Sequence, residues 1–198
     1  MPGPPDHAAV DTWINYGIIP LLMPSSLTKQ VLVRAFVALD AALPKSVILV
    51  VGGGGAMVLA HGLPVMTGDI DAYPAAGGMT IEELDPLVKQ IAKEQHLPPD
   101  WLNPHYSTFA HVLPPDYGTR LVDVFVGKKL RVRALGVEDL LVMKCFAGRA
   151  KDKHHALALL RLSPDLRIVN KRLEELMDKR VPGALNAVDF LDDIGQDT

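Results

Sequence analysis

The sequence places four consecutive glycines directly after an apolar segment of strand length. Residues 46–51 (SVILVV) are uncharged and rich in β-branched side chains, a composition that predicts a buried strand. The segment after the glycines, residues 56–61 (AMVLAH), has the composition of a helix start. Glycine has no Cβ, so backbone N–H groups can approach a ligand closely there, and a helix N-terminus favours an anion. We therefore predict that Gly53, Gly54 and Gly55 bind phosphate.

Two aspartates, Asp69 and Asp71, follow the glycines at short range with Ile70 between them. On a strand, side chains two residues apart share one face, so both carboxylates would point to one place while Ile70 packs inward. Two adjacent carboxylates repel each other unless a cation neutralises them. A few hard oxygen ligands, supplemented by substrate phosphates, suit Mg2+ (or Mn2+). The pair therefore predicts a divalent metal site.

Each of these two motifs has an ordinary structural explanation when it is taken alone. A glycine-rich turn can simply connect a strand to a helix, and Asp-x-Asp can lie in an acidic β-turn. The chain lacks the G-x-G-x-x-G spacing of dinucleotide-binding folds, and no Gly-Lys-Ser or Gly-Lys-Thr follows the glycines. Taken together, the two motifs favour a site for phosphate and metal.

The combined pattern resembles the signature of the nucleotidyltransferase superfamily. It runs from Gly-Gly-x-Ala through His61-Gly62 to Thr67-x-Asp69-Ile70-Asp71. More narrowly, the chain resembles AbiEii-type toxin-like nucleotidyltransferases and related uncharacterised bacterial proteins of the same fold. The resemblance covers about residues 46 to 160 and continues in these downstream segments: 101–103 (WLN), 121–124 (LVDV), 137–144 (VEDLLVMK), 147–149 (AGR) and 151–152 (KD).

The resemblance implies an α+β fold with a small mixed sheet and flanking helices, to which the helical patterns after residue 163 add a C-terminal helical layer. It also implies that Asp69 and Asp71 bind the metal from a strand. Asp123 fits a third carboxylate that would complete the catalytic and metal-binding set. Lys144 would contact the phosphates of a nucleoside triphosphate. Further candidates for nucleotide binding are Thr67, Arg149 and Asp152.

The residues alone leave three of these roles open. Asp123 lies in an apolar strand pattern, where a carboxylate needs a partner or a metal unless the strand is at a sheet edge. Lys144 can extend its ammonium group from an apolar helix face into solvent, or it can reach a triphosphate. Arg149 can clamp a phosphate or form an ordinary surface ion pair.

Two positions depart from the pattern of related sequences. Relatives frequently carry arginine where this chain has Val65, so a phosphate or loop-anchoring contact is removed. They often carry a second acidic residue near the position of His155. Both departures predict altered activity, or a domain that binds without catalysing a reaction.

Length and net charge limit the number of domains and the partners that the chain can have. A chain of 198 residues suffices for one domain with a sizeable core. We divide it into an N-terminal tail with an apolar cover segment (residues 1–24), a core (25–162) and a C-terminal helical layer (163–198), which together form one compact unit. A net charge of −3 gives no overall basic character, so a nucleic acid would have to bind a local patch.

Cysteine usage and hydropathy exclude other classes. Cys145 is the only cysteine, so there is no disulfide framework and no cysteine zinc site. Its apolar helical surroundings favour a buried structural thiol over a nucleophile. No stretch reaches membrane-spanning length without interruption, and the N-terminus lacks the pattern of a signal peptide. We expect a cytoplasmic protein with no membrane partner.

Hydrophobic periodicity predicts the remaining elements. Strand patterns cover residues 108–113, 120–126 and 130–135, and the last two form a hairpin through residues 127–129. The predicted helices are 25–43, 80–96 with a Thr-x-x-Glu capping box, 136–148, 166–179 and 184–194.

These inferences give one leading hypothesis for the function. The chain would use Mg2+ to transfer a nucleoside monophosphate from a nucleoside triphosphate to an acceptor hydroxyl. The resemblance to toxin-like enzymes implies a tRNA or protein acceptor and a cognate antitoxin as partner. The alternatives are transfer to a small molecule such as an aminoglycoside, or a catalytically degenerate domain that binds a nucleotide or a partner protein.

Overall fold

A computed structural model of the chain describes residues 27–75 and 78–196, except for the side chains of Tyr106, Ser107 and Thr108. The predicted N-terminal tail and cover segment, residues 1–24, lie outside this range. The helices are α1 (Lys29–Ala42), α2 (Gly53–Leu59), α3 (Ile81–Gln95), α4 (Val137–Ala147), α5 (Ala150–Leu160), α6 (Leu166–Asp178) and α7 (Ala184–Gly195). The strands are β1 (Val47–Val51), β2 (Ile70–Pro74), β3 (Leu102–Asn103), β4 (Val122–Val126) and β5 (Leu130–Ala134).

Within the described residues, these strands form one mixed sheet in the order β3-β2-β1-β5-β4. Strand β1 pairs in parallel with β5 and antiparallel with β2. Strand β3 is parallel to β2, and β4 is antiparallel to β5, so the predicted hairpin forms at one edge of the sheet. The predicted α+β fold, a mixed sheet with flanking helices, is confirmed.

The apolar strand and the glycines after it lie at the centre of this sheet. Val51, which ends β1, is fully buried, as expected for a central strand with an uninterrupted apolar sequence. The chain then passes through Gly52 directly into α2. The backbone N–H of Gly52 donates to the Asp71 carbonyl oxygen at 2.9 Å, which holds the start of β2 beside the start of α2.

Helices α1 and α3 enclose the main aromatic cluster of the core. The ring of Phe36 on α1 lies 6.0 Å from that of Trp101 and 5.7 Å from that of Phe125, between ring centroids. The indole N–H of Trp101 donates to the Val88 carbonyl oxygen of α3 at 3.1 Å. Helix α3 begins at the predicted capping box, in which the Thr80 hydroxyl accepts from the Glu83 backbone N–H.

The C-terminal helices form a second group around α4, which packs against α5, α6 and α7. Buried Arg172 on α6 links this group to the segment that follows β3. Its guanidinium donates to the carbonyl oxygens of Val112 at 2.7 Å, Leu113 at 2.8 Å and His111 at 3.3 Å. None of the helices in the described part of the chain is both long enough and apolar enough to span a membrane.

The prediction of a strand over residues 108–113 is wrong. The chain forms a 3₁₀ helix over His105–Val112 instead. A strand at this place would need a neighbouring strand to pair with its backbone N–H and C=O groups. Instead, the carbonyl oxygens at the end of the segment accept hydrogen bonds from Arg172. A second 3₁₀ helix covers Tyr117–Arg120, so β4 begins at Val122 and not at residue 120 as predicted.

Replacing Trp101 by alanine should lower the free energy of unfolding by about 3–5 kcal/mol, because the ring is fully buried and its N–H is bonded. Urea unfolding followed by circular dichroism measures this change. Val37→Ala is the control, since Val37 on α1 is 56% exposed and its truncation should change the free energy by less than about 0.5 kcal/mol. Equal effects of the two substitutions would contradict the placement of Trp101 in the core.

Candidate functional site

The two aspartates of the Asp-x-Asp motif lie at the start of β2 and face one side of it. Ile70 between them is fully buried, and its backbone N–H donates to the Trp101 carbonyl oxygen at 2.7 Å. Asp69 and Asp71 are each only partly exposed. The alternation of a strand therefore directs both carboxylates away from the core, as the sequence predicts.

The glycines allow α2 to approach these aspartates closely. Gly53 has a positive φ of 58°, and a Cβ there would lie 2.4 Å from Oδ2 of Asp71. A Cβ at Gly54 would lie 3.2 Å from Oγ1 of Thr67. Gly55 is buried, and a Cβ at this position would contact the backbone of Ile70. Gly53 and Gly54 thus border the aspartates, whereas Gly55 serves the packing of α2 on β2.

Thr67 fixes the turn that precedes Asp69. Its hydroxyl donates to the Asp69 carbonyl oxygen at 2.7 Å, and its own carbonyl oxygen accepts from the Leu27 N–H at 2.7 Å. The side chain is buried at 7% exposure. In this structure Thr67 positions Asp69, and it also forms part of the wall of the adjacent cleft.

A third side chain, His105, approaches the two carboxylates from the start of the 3₁₀ helix that follows β3. One ligand atom from each of Asp69, Asp71 and His105 lies within 4.8 Å of the others. His105 follows β3, which pairs in parallel with β2 so that Asn103 lies opposite Asp71. Sequence analysis missed this residue, because its proximity to the aspartates arises from strand pairing and no motif spacing signals it.

The electrostatics of the pair favour a bound cation. Burial raises the pKa of Asp71, and the neighbouring charge of Asp69 raises it further, although His105, Lys144 and Lys151 act in the opposite direction. A carboxyl group with a raised pKa is ionised at a cost in free energy. A divalent cation between the carboxylates would remove this cost, so the residues present fit a metal with hard oxygen ligands.

Helices α4 and α5 supply a buried ion pair near the aspartates. Lys144 Nζ donates to Asp152 Oδ1 at 2.8 Å, and Arg149 Nε donates to Asp152 Oδ2 at 2.6 Å. Lys144 is 5% exposed and Asp152 is fully buried. Burial would raise the pKa of Asp152, but the hydrogen bonds from Arg149 and Lys144 outweigh it and hold this pKa below its usual value. The carboxylate is therefore ionised and fixes both cations in place.

A cleft of about 530 Å³ is lined by both groups of residues: Thr67, Asp69 and Asp71 together with Lys144, Arg149 and Lys151. Acidic and basic groups thus share one cleft, which suits a metal bound together with a polyanion. A smaller pocket of about 80 Å³ shares Asp71, Lys144 and Arg149 with this cleft and is otherwise mainly apolar: Phe109, Leu140, Met143 and Ala147.

Val65 and His155, the two positions predicted to depart from the pattern of the resembled superfamily, line this cleft. Burial lowers the pKa of His155, and the charge of Lys144 lowers it further. Its Nδ1 is buried and has no hydrogen-bond partner among the described residues. A neutral imidazole is thus present at the position where the resemblance implies a second acidic residue.

The structure does not bring Asp123 to the other two aspartates. Asp123 lies on the edge strand β4, three strands from β2, which corresponds to roughly 14 Å. Its carboxylate accepts from Arg131 Nε at 2.8 Å and Nη2 at 2.7 Å, and Arg133 Nε lies 3.4 Å away. The sequence left two explanations for Asp123: a metal site or a strand at the sheet edge. In the structure, Asp123 lies on an edge strand and pairs with arginine.

Replacing Gly53 by alanine should weaken divalent metal binding, because the added Cβ would displace the Asp71 carboxylate. Gly62→Ala is the matched control: Gly62 has a φ of 62°, but a Cβ there would meet nothing within 4 Å. Both substitutions should lower the free energy of unfolding by about 1 kcal/mol because of the positive φ. Only Gly53→Ala should reduce Mn2+ affinity in a calorimetric titration. Equal metal affinity of the two variants would contradict the close approach of Gly53 to Asp71.

Cys145 on α4 should be unreactive in the folded protein. It is 2% exposed, and burial raises the pKa of its thiol to about 12, so the nucleophilic thiolate is almost absent at pH 8. An Ellman assay at pH 8 should detect no thiol in native protein and one thiol in urea. Rapid labelling of the native protein would show that this helix face opens.

Comparison with known proteins identifies the family. Residues 32–188 match a family model described as "Nucleotidyltransferase of unknown function (DUF6036)". A search of curated proteins and a search of solved structures found no significant match. The narrower resemblance to AbiEii-type toxins therefore stays a prediction. Because the match covers more than half of the chain and includes the aspartate pair, the glycines and the Lys144–Asp152 ion pair, the protein belongs to this nucleotidyltransferase family.

Proposed function

We propose that this protein transfers a nucleoside monophosphate from a nucleoside triphosphate to an acceptor hydroxyl, with Asp69 and Asp71 as the ligands of a divalent metal. The observation that carries the proposal is that the aspartate pair lines the same cleft as Lys144 and Arg149. This arrangement matches the needs of phosphoryl-group chemistry, where charge on the phosphates must be held and neutralised. Membership of a nucleotidyltransferase family supports it independently.

The metal would be Mg2+ or Mn2+, held by Asp69 and Asp71. When bound, such an ion neutralises charge on the triphosphate and on the departing pyrophosphate. The fit rests on the donor set: two adjacent carboxylates are hard ligands, and burial together with the charge of Asp69 raises the pKa of Asp71.

The basic residues of the cleft would bind and orient the triphosphate. The Lys144 ammonium and the Arg149 guanidinium are held by the same buried carboxylate, Asp152, so they are ordered before substrate arrives. The side chain of Arg149 is 55% exposed and borders the cleft, where it can contact phosphate while keeping its bond to Asp152. Lys151 is exposed and adds positive charge to the same cleft.

In the reaction, a bond forms between the acceptor oxygen and the α-phosphorus while the bond from that phosphorus to the bridging oxygen breaks. Pyrophosphate leaves with the electron pair of that bond. The acceptor hydroxyl loses its proton to water or to a carboxylate oxygen of the cleft that is not bound to the metal. We leave Asp123 out of this machinery because of its distance from the pair and its arginine partners.

We further propose that the acceptor is a hydroxyl of RNA or protein, as for the toxin-like relatives, with a cognate antitoxin as partner. Lys151, an exposed cation of the cleft in addition to the residues assigned to the triphosphate, favours a polyanionic acceptor such as tRNA over a cationic small molecule such as an aminoglycoside. A second candidate function is nucleotide or partner binding without catalysis. It is favoured by the apolar Val65 and the neutral His155 in the cleft.

Incubation with Mg2+, each α-labelled nucleoside triphosphate and an extract of total RNA and protein tests this proposal. Label should enter one acceptor class, and Asp69→Asn or Asp71→Asn should reduce incorporation at least about 100-fold, since each removes a metal-binding carboxylate. The control is Asp123→Asn, which removes a carboxylate of the same type at the far edge of the sheet and should retain activity.

Three outcomes would change the proposal. Magnesium-dependent nucleotide binding by calorimetry without label transfer to any acceptor would favour the non-catalytic domain. Transfer to an added aminoglycoside alone would assign a small-molecule acceptor. Loss of transfer in Asp123→Asn as complete as in Asp71→Asn would return Asp123 to the catalytic machinery.

A further inference from the structure

We infer that His105 is the third protein ligand of the metal site, so that the site is an Asp–Asp–His set with a preference for a transition metal such as Mn2+. This inference rests on the proposed function, which gives the metal only two ligands. The observation behind it is the convergence of ligand atoms from Asp69, Asp71 and His105 within 4.8 Å of one another.

The backbone of His105 is held in place by a side chain that also contacts the aspartate pair. Asn103 is 6% exposed, and its Nδ2 donates to Oδ2 of Asp69 at 2.9 Å. Its Oδ1 accepts the backbone N–H of His105 at 3.0 Å. One buried amide therefore joins Asp69 to the backbone of His105. An interaction of this kind, outside the ligands themselves, is how proteins commonly orient metal ligands.

The fold beyond Asn103 supports the same position. Strand β3 pairs with β2 in a register that puts Asn103 opposite Asp71, so the chain leaves β3 beside the carboxylates. The 3₁₀ helix that begins at His105 is anchored at its other end by Arg172, which donates to the carbonyl oxygens of Val112 and Leu113. The segment that carries His105 is thus fixed at both ends.

The nitrogen ligand changes which metal the site selects. Mg2+ prefers an all-oxygen shell, whereas an imidazole nitrogen suits the later transition metals, and Mn2+ accepts it more readily than Mg2+ because it is the softer of these two ions. The ratio of Mn2+ affinity to Mg2+ affinity should therefore be larger for two carboxylates with one imidazole than for two carboxylates alone. The other cleft histidines, His154 and His155, lie on α5 and are not in this group.

Pulsed EPR of the full-length protein with Mn2+ alone tests the inference directly. A directly bound imidazole gives a ¹⁴N hyperfine coupling in electron spin echo envelope modulation, and this coupling should be present in the wild type and absent in His105→Gln. His154→Gln is the matched control: it removes a second exposed histidine of the cleft and should leave the coupling unchanged. Circular dichroism verifies that each variant is folded.

Metal affinity gives a second, independent measurement. His105→Gln should weaken Mn2+ binding at least about tenfold, since even the loss of a residue that only orients a ligand costs that much. His105→Asp should retain metal binding with an all-oxygen set, lose the ¹⁴N coupling and shift the ratio of Mn2+ to Mg2+ affinities towards Mg2+. This variant distinguishes a ligand from a residue that merely shapes the cleft.

The outcomes separate this inference from the proposed function. Mn2+ binding that needs Asp71 but shows no ¹⁴N coupling, with equal affinity in His105→Gln, would overturn the role of His105 and leave the aspartate site intact. Absence of Mn2+ binding in the wild type would overturn both. Coupling that survives in His105→Gln and disappears in His154→Gln would also overturn the inference, because the ligand would then come from α5.

Discussion

Mutual repulsion between two carboxylates is the constraint on which the site depends. Asp69 and Asp71 are separated by one buried residue, Ile70, so the strand forces both charges to one side. Burial and this like charge together raise the pKa of Asp71. The surroundings of the pair are consistent with a place for a cation, because Gly53 gives the Asp71 carboxylate room and Asn103 donates to Asp69.

The Lys144–Asp152 ion pair fixes a positive charge in the same cleft as these two carboxylates. A buried ion pair contributes little net stability, because desolvation of both charges offsets their attraction. Its value here lies in geometry: Asp152 holds Lys144 from one side and Arg149 from the other, at 2.8 and 2.6 Å. The result is positive charge in the same cleft as the aspartates, which is already ordered before substrate binds.

Several features were predictable because they follow from local chemistry. The run of β-branched residues before the glycines formed the buried strand β1, and Thr80 with Glu83 formed the predicted capping box. Alternation along β2 placed Asp69 and Asp71 on one side. Residues 108–113 were predicted incorrectly because an apolar pattern cannot distinguish a strand from a 3₁₀ helix whose carbonyl groups bond to a distant arginine, Arg172.

The α+β class and an aspartate pair on one side of a strand follow from local sequence patterns, because strand periodicity acts over a few residues. The partners of these groups, including the approach of Gly53 to Asp71, depend on tertiary packing. Strand order placed Asp123 at the far edge with Arg131, and the parallel pairing of β3 with β2 brought His105 to the aspartates. The physical reason is that contacts between distant segments depend on how strands pair, which no local pattern encodes.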